Sequence, residues 1–307
     1  MGYSVRGVTY ERLPAALAVR LAYEVMLQRP VDPVGLTDNL ARLVRREFTR
    51  AELTQALRGS EEFQTLGFTG RMLGYSIHAG RCLFIKSLPE ARRILDLGGT
   101  HQWNDQGAMV ALGYPYPFEE LIIIDLPSPE RHAIYRSNDA RTVVKTPLGP
   151  VSYHYHSMTD LSAFADGSVD LVYSGQSIEH VTPAEGALVL SQVFRVLRPG
   201  GHIAIDTPNA TVTRLQQSAL IDPDHKVEYT LEELTDLIAA AGLEVESVQG
   251  LNYAGRSLAA GHFEADEVAR NWGLYSEAAD CYILAVVARK PSPAQAFRTR
   301  ARPGPDR

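Results

Sequence analysis

A chain of 307 residues, 45% hydrophobic and 21% charged, has enough apolar surface for one sizeable α/β core and a smaller appendage. Its formal net charge of −6 argues against a phosphate-neutralising surface, so no nucleic acid is expected as a partner. Cys82 and Cys281 stand far apart and make neither a disulfide framework nor a zinc site, no apolar run reaches membrane-span length, and the N-terminus lacks a signal-peptide profile; the expected location is cytoplasmic.

In chain order, residues 1–66 predict an all-helical domain. Leu17, Leu21, Met26 and Leu27 set one apolar stripe and Leu36, Leu40, Leu43 and Val44 another, with a break at Pro30 to Pro33. Thr49 and Glu52 have capping-box spacing at the start of a third helix. Residues 70–88 follow as an amphipathic helix carrying Tyr75, His78 and Arg81, which either close over a bound cofactor or, the simpler reading, only form part of the helix's amphipathic pattern. From there to residue 290 strands and helices alternate, the pattern of βαβ units and a parallel sheet. Seven strands are expected, over 93–97, 121–125, 150–155, 169–174, 201–206, 244–250 and 281–289. Thr182-Pro-Ala-Glu185 and Thr230-Leu-Glu-Glu233 mark two helix starts, and Gly242 ends the second helix. His154 and His156 alternate along a strand and are read as structural. Residues 291–307, rich in Pro and Arg, predict a disordered tail.

Two strand ends carry the chemistry. Ile94-Leu-Asp-Leu-Gly-Gly99 runs from an apolar strand through a carboxylate into a glycine turn, and Leu121-Ile-Ile-Ile-Asp125 ends on a second carboxylate. The first loop lacks the Gly-x-Gly-x-x-Gly spacing that brings a pyrophosphate onto backbone amides. Two acidic tips beside a glycine bend suit a ligand with a ribose diol and a cationic amine instead. That description fits S-adenosyl-L-methionine.

From about residue 70 to 290 the sequence resembles the class I S-adenosylmethionine-dependent methyltransferases. The motifs occur in order: Ile94 to Gly99, Ile124-Asp-Leu126, Phe164 to Val172, Ser177-Ile-Glu-His-Val181 and Arg195 to Gly201. The resemblance implies a Rossmann-like seven-stranded methyltransferase sheet over residues 67–290. It also implies that Asp96, Leu97, Gly98 and Gly99 line the methionine end, Asp125 binds the ribose, and Leu126 lies beside the adenine. Ser174 and Gly175 would border the sulfonium. Ser157 or Met158 stands where relatives place the acidic residue that meets the adenine amine. Thr100 and Gln102 replace the later loop glycines, and Trp103 either covers the cofactor or packs.

For the acceptor, Gln176, Glu179 and His180 share one face of a turn. Some related O-methyltransferases use two carboxylates and a histidine at those positions to hold a divalent ion. Here the first is glutamine, so no metal site is expected. His180 is the expected general base, since imidazole titrates near neutral pH; the alternative is that Glu179 and His180 brace the loop. His225, in a segment where the family builds an acceptor lid, contacts substrate or orders the loop. Residues 22–63 resemble a small helical domain of unknown role found beside glycan-pathway enzymes. The expected function is methylation of a small-molecule or glycan acceptor, at a sugar hydroxyl, with a protein partner or a second copy engaging the helical domain. Methylation of a phenolic or lipid-like product, and a non-catalytic scaffold, stand as alternatives.

Overall fold

Helix starts in the N-terminal part are set by side chains that satisfy exposed amides. The computed structural model describes residues 4–5, 8–9, 14–27, 31–60, 69–101, 104–127, 130 and 143–292, in two compact units, Met1–Tyr75 and Ser76–Arg307. In the first, a short antiparallel pair, β1 (Ser4–Val5) and β2 (Val8–Thr9), precedes α1 (Ala15–Leu27), α2 (Pro33–Val44) and α3 (Arg50–Gly59). Asp32 caps α2 by accepting the Gly35 amide at 2.8 Å, and Thr49 with Glu52 forms the expected capping box on α3.

The core of this unit is Val19, Ala22, Tyr23, Leu27, Leu53 and Leu57. Of the expected stripe on α1, Leu27 is buried as expected, but Leu17 is 41% exposed while Ala18 and Val19 are fully buried. Val44 is exposed as well, and α2 contributes only partly buried Leu36 and Leu43. The side chains of Leu21 and Met26, and residues 61–63, lie outside the described residues.

In the second unit, strands buried on both faces form the centre. Its elements are α4 (Thr69–Ser87, which begins before the unit), β3 (Arg93–Leu97), α5 (Ala108–Ala111), β4 (Glu120–Asp125), β5 (Val143–Lys145), β6 (Pro150–Tyr155) and β7 (Val169–Gly175). There follow α6 (Pro183–Val196), β8 (Leu197–Pro208), α7 (Ala210–Gln216), α8 (Leu231–Ala240), β9 (Glu244–Tyr253), α9 (Gly255–Ala260), α10 (Ala265–Arg270), β10 (Leu274–Tyr275) and β11 (Cys281–Arg289). One sheet orders them β10-β9-β11-β8-β7-β3-β4-β6-β5.

All seven expected strands are present, and the sheet adds β5 and β10 at its two edges. Those strands have three and two residues, too short to show a period of two. Neighbours from β6 through β8 are parallel, and β11 inserts antiparallel between β8 and β9. The chain moves outward from β3 to β4 and β6, then returns to β7 on the other side. Beyond the carboxyl ends of β3 and β7, this reversal opens the crevice where such sheets take ligands.

Register decides which side chains share that crevice. Asp96 pairs with Ile123 and with Tyr173, Asp125 with Tyr155, and Gly175 with Asp206. Because side chains alternate along a strand, Asp125, Asp96, Tyr173 and Asp206 all lie on one face. The opposite face carries Leu95, Leu97, Ile122, Ile124, Val172, Ile203 and Ile205, packed with Val189, Leu190 and Val193 of α6 and Leu234 and Ile238 of α8. Each such buried aliphatic side chain contributes about 1.5–3 kcal/mol. Thr182 and Thr230 cap these helices with the expected reciprocal bonds to Glu185 and Glu233. Residues 293–307 of the expected tail lie outside the described residues.

Candidate active site

β3 ends at Leu97, and Gly98 turns the chain with φ +72°, donating its amide to the Ile124 carbonyl at 2.7 Å. A Cβ on Gly99 would stand 2.2 Å from Asp96 Cγ. Gly99 is thus demanded by the carboxylate folded against it and not by its own φ. Asp96 is 1% exposed, and among the described residues neither of its oxygens has a side-chain hydrogen-bond partner, the Met109 amide being the donor that approaches it. Burial pushes its carboxyl up to about 7; the Met109 amide and Arg81 work against the rise, while Asp125 and Asp206 add to it. We expect Gly99→Ala to displace Asp96 and cost roughly 1–3 kcal/mol of stability, read by chemical denaturation. A loss near zero would show that the carboxylate has room to move.

The glycine missing from positions 100 and 102 reappears later in the loop. Gly107 has φ +82°, its Cβ would lie 2.3 Å from Ile123 Cδ1, and the next amide, Ala108, donates to the Gly99 carbonyl at 2.8 Å. Close packing of loop on strand is therefore kept, with a longer excursion between Gly99 and Gly107. Tyr153 anchors that excursion by donating its hydroxyl to the Asp105 carbonyl at 2.7 Å. Gln102 and Trp103 lie outside the described residues.

Asp125 ends β4 and accepts the Leu126 amide at 2.8 Å; Leu126 is 37% exposed beside it. Ser157 and Thr159 share a hydroxyl hydrogen bond of 2.8 Å, and Met158 packs against the core. Ser174 is fully buried, with its hydroxyl 2.7 Å from that of Ser177, and register turns it toward the helix-covered face. His154 and His156 have rings 6.4 Å apart, and the His154 ring lies 5.8 Å from Phe164.

Sequence reading missed a buried network beside Gly175. Arg81 of α4 reaches the sheet and places Nε 2.7 Å from Asp206 Oδ1. Its Nη2 donates to Tyr173 Oη at 3.1 Å, and the Tyr173 hydroxyl in turn donates to Asp206 Oδ2. Gln176, held at φ +55°, donates its side-chain amide to Asp206 Oδ1 at 3.0 Å. A Cβ on Gly175 would collide with Tyr173 Oη and Arg81 Nη2. Although burial opposes it, Asp206 and Tyr173 keep Arg81 firmly protonated. The signal was present: Ile203-Ala-Ile-Asp206 repeats the grammar of the other two strand ends, although this carboxylate is engaged by protein.

At the rim, Glu179, His180 and His225 come together, each offering an atom within 4.8 Å of the others. Glu179 and His180 lie on and beside a short 3₁₀ turn after β7, and His225 comes from the segment after α7. Backbone ties make the junction: the Lys226 and Val227 amides donate to the Glu179 carbonyl at 2.8 and 3.2 Å. Glu179 Oε2 accepts from Thr207 at 2.9 Å, while Oε1 is buried without a partner. Burial lifts its carboxyl to about 7. Glu228 Oε1 lies 2.8 Å from His225 Nδ1; burial lowers the His225 pKa, but this bond and nearby carboxylates outweigh it and raise it. The His180 imidazole is held below its ordinary range by burial and then by His225. A cavity of about 340 Å³, lined by Arg214, Ser218, Lys226 and Glu228 among others, adjoins this rim on the Glu228 side and not the Asp96 face.

Residues 111–205 match the sequence model of a family described as a methyltransferase domain. A probable S-adenosylmethionine-dependent methyltransferase of Mycolicibacterium smegmatis is 41% identical over 86 residues, 28% of this chain and 33% of that protein. One of Mycobacterium tuberculosis is 34% identical over 91 residues, 30% of this chain and 32% of that protein. The matched stretch thus spans about a third of these curated relatives. Among solved structures, a methyltransferase of Thermotoga maritima, described as S-adenosylmethionine-dependent and a possible histamine N-methyltransferase, superposes with a TM-score of 0.50. It is 16% identical and covers 76% of this chain and 96% of its own. The sheet order and this likeness establish the Rossmann-like methyltransferase fold.

Proposed function

We propose that this chain, in which a methyltransferase-domain segment sits on the class I methyltransferase sheet, is an S-adenosylmethionine-dependent methyltransferase. Its acceptor is a hydroxyl of a small polar molecule, specifically a sugar hydroxyl of a glycan or glycoside. One observation carries the reading: Asp96 and Asp125 lie on one face at the switch point, and among the described residues both Asp96 oxygens are buried with no side-chain hydrogen-bond partner beside the Gly98–Gly99 turn.

The residues present fit this cofactor. Asp96, Gly98 and Gly99 form a cradle for a cationic amino-acid end, Asp125 takes a ribose diol, and exposed Leu126 offers an apolar surface to the base. S-adenosylmethionine bound there supplies a methyl group already activated for transfer. The chain must therefore orient the acceptor and take up one proton. Glu179, His180 and His225 offer that proton a destination. Resemblance of the N-terminal helices to a domain of glycan pathways directs the choice to a sugar.

Calorimetry tests the cofactor step. Wild type is expected to bind S-adenosylmethionine, and Asp125→Ala to bind it about 10–100-fold more weakly, the worth of charge-assisted bonds to a diol. No heat and no thermal shift with wild type would end the enzymatic reading. Mass spectrometry of glycans from a deletion strain tests the acceptor, the expected result being loss of one methyl group from a sugar.

A further inference from the structure

We propose that Glu179, His180 and His225 form a binding site for one divalent first-row transition ion. Three observations carry it. Each residue offers a ligand atom within 4.8 Å of the others, near enough that a small inward movement of the side chains brings all three to bonding distance of one ion. Glu179 is 1% exposed and has a carboxylate oxygen, Oε1, that is buried with no hydrogen-bond partner; an uncompensated buried acceptor of this kind is costly unless something occupies it. The third observation is the outer support. Glu228 Oε1 lies 2.8 Å from His225 Nδ1, which leaves the other ring nitrogen to ligate, and Thr207 fixes the second oxygen of Glu179 at 2.9 Å. Carboxylate-backed histidine and a hydrogen-bonded carboxylate are how metal ligands are oriented.

The ligand set chooses the ion. Two imidazoles and one carboxylate suit manganese, iron, cobalt or zinc, whereas magnesium and calcium call for oxygen ligands throughout. Gln176 does not join: its side chain is turned away to Asp206. His225 instead comes from a distant segment and is brought in by the backbone bonds of Lys226 and Val227 to the Glu179 carbonyl. Three protein ligands leave open positions, and under the proposed methyltransferase reading an acceptor hydroxyl would enter one of them, where the ion would lower its pKa; with the ion bound the three side chains would serve as its ligands in place of accepting the proton themselves. The site itself does not rest on that reading.

The test uses the full chain, stripped of metal, titrated with Mn²⁺, Zn²⁺ or Mg²⁺ by calorimetry. Expected are one Mn²⁺ or Zn²⁺ per chain, a raised melting temperature, and Mg²⁺ binding at least about tenfold weaker. Glu179→Gln and His180→Ala should each weaken binding by about 100-fold or more. His180 is the least buried of the three, so its variant is expected to keep the fold even where a change at Glu179 does not. His262→Ala, at an exposed imidazole elsewhere, should bind like wild type. In the Co²⁺-loaded protein, His180→Ala should shift the visible spectrum through loss of a nitrogen ligand. Absence of one-to-one binding by wild type, tighter binding of Mg²⁺, or unaltered binding by His180→Ala would overturn the site. Metal binding without S-adenosylmethionine binding would remove the methyltransferase reading and leave this one standing.

Discussion

Arg81→Ala should lose about 3–5 kcal/mol of unfolding free energy, because it strands a wholly buried carboxylate. Asp206 is 0% exposed, and its oxygens are shared among Arg81, Tyr173 and Gln176. Asp206→Ala should cost a similar amount by stranding the guanidinium. Joint replacement, Arg81→Met with Asp206→Leu, removes both charges and should recover much of the loss, since buried ion pairs exchange for apolar pairs at little net cost. Urea unfolding of the four proteins gives the comparison. A single-variant loss below about 1 kcal/mol would mean that water reaches the pair. The network also shapes the site, because it holds Gln176 in a left-handed conformation and fills the space against Gly175.

Asp96→Asn should separate stability from binding. Burial raises the Asp96 carboxyl from 3.8 to about 7, so the folded chain keeps a proton that the unfolded chain has released. Between those values, stability falls as pH rises, and the full penalty is present above about 7. Asparagine does not titrate. The variant should therefore be more stable than wild type by roughly 1–3 kcal/mol at pH 8, with the difference fading toward pH 4. It should also bind S-adenosylmethionine about 10–100-fold more weakly, through loss of a charge-assisted bond to the amine. For wild type, affinity should climb as pH passes from 6 to 8 and the carboxylate forms. Groups sharing this field are Arg81, Asp125, Asp206 and Tyr153. A variant that lost both stability and affinity would identify Asp96 as a structural residue.

How far the sequence could be read depended on the range of each interaction. Capping boxes at Thr49, Thr182 and Thr230 involve residues three apart, and they appeared where expected. The seven long strands were visible as apolar runs with turns between them. Edge strands β5 and β10 were not, since three and two residues are too few to show an alternation of period two. On α1, Leu27 is buried as the apolar stripe predicts, while at the other end Leu17 is exposed and Ala18 and Val19 are buried in its place.

Local spacing alone determined the strand-end carboxylates Asp96 and Asp125, the glycine bend between strand and loop, the helix starts and the alternating α/β order. Only the tertiary structure decided which distant groups meet. Strand register put Asp96, Asp125 and Asp206 on one face, the reach of α4 brought Arg81 to Asp206, and the Glu179 carbonyl captured Lys226 and thereby delivered His225. Those meetings are set by sheet order and by hydrogen bonds between distant residues, such as those of the Lys226 and Val227 amides to the Glu179 carbonyl. No nearest-neighbour pattern in the sequence carries that information, because the entropy of closing such loops is repaid only when the whole core forms.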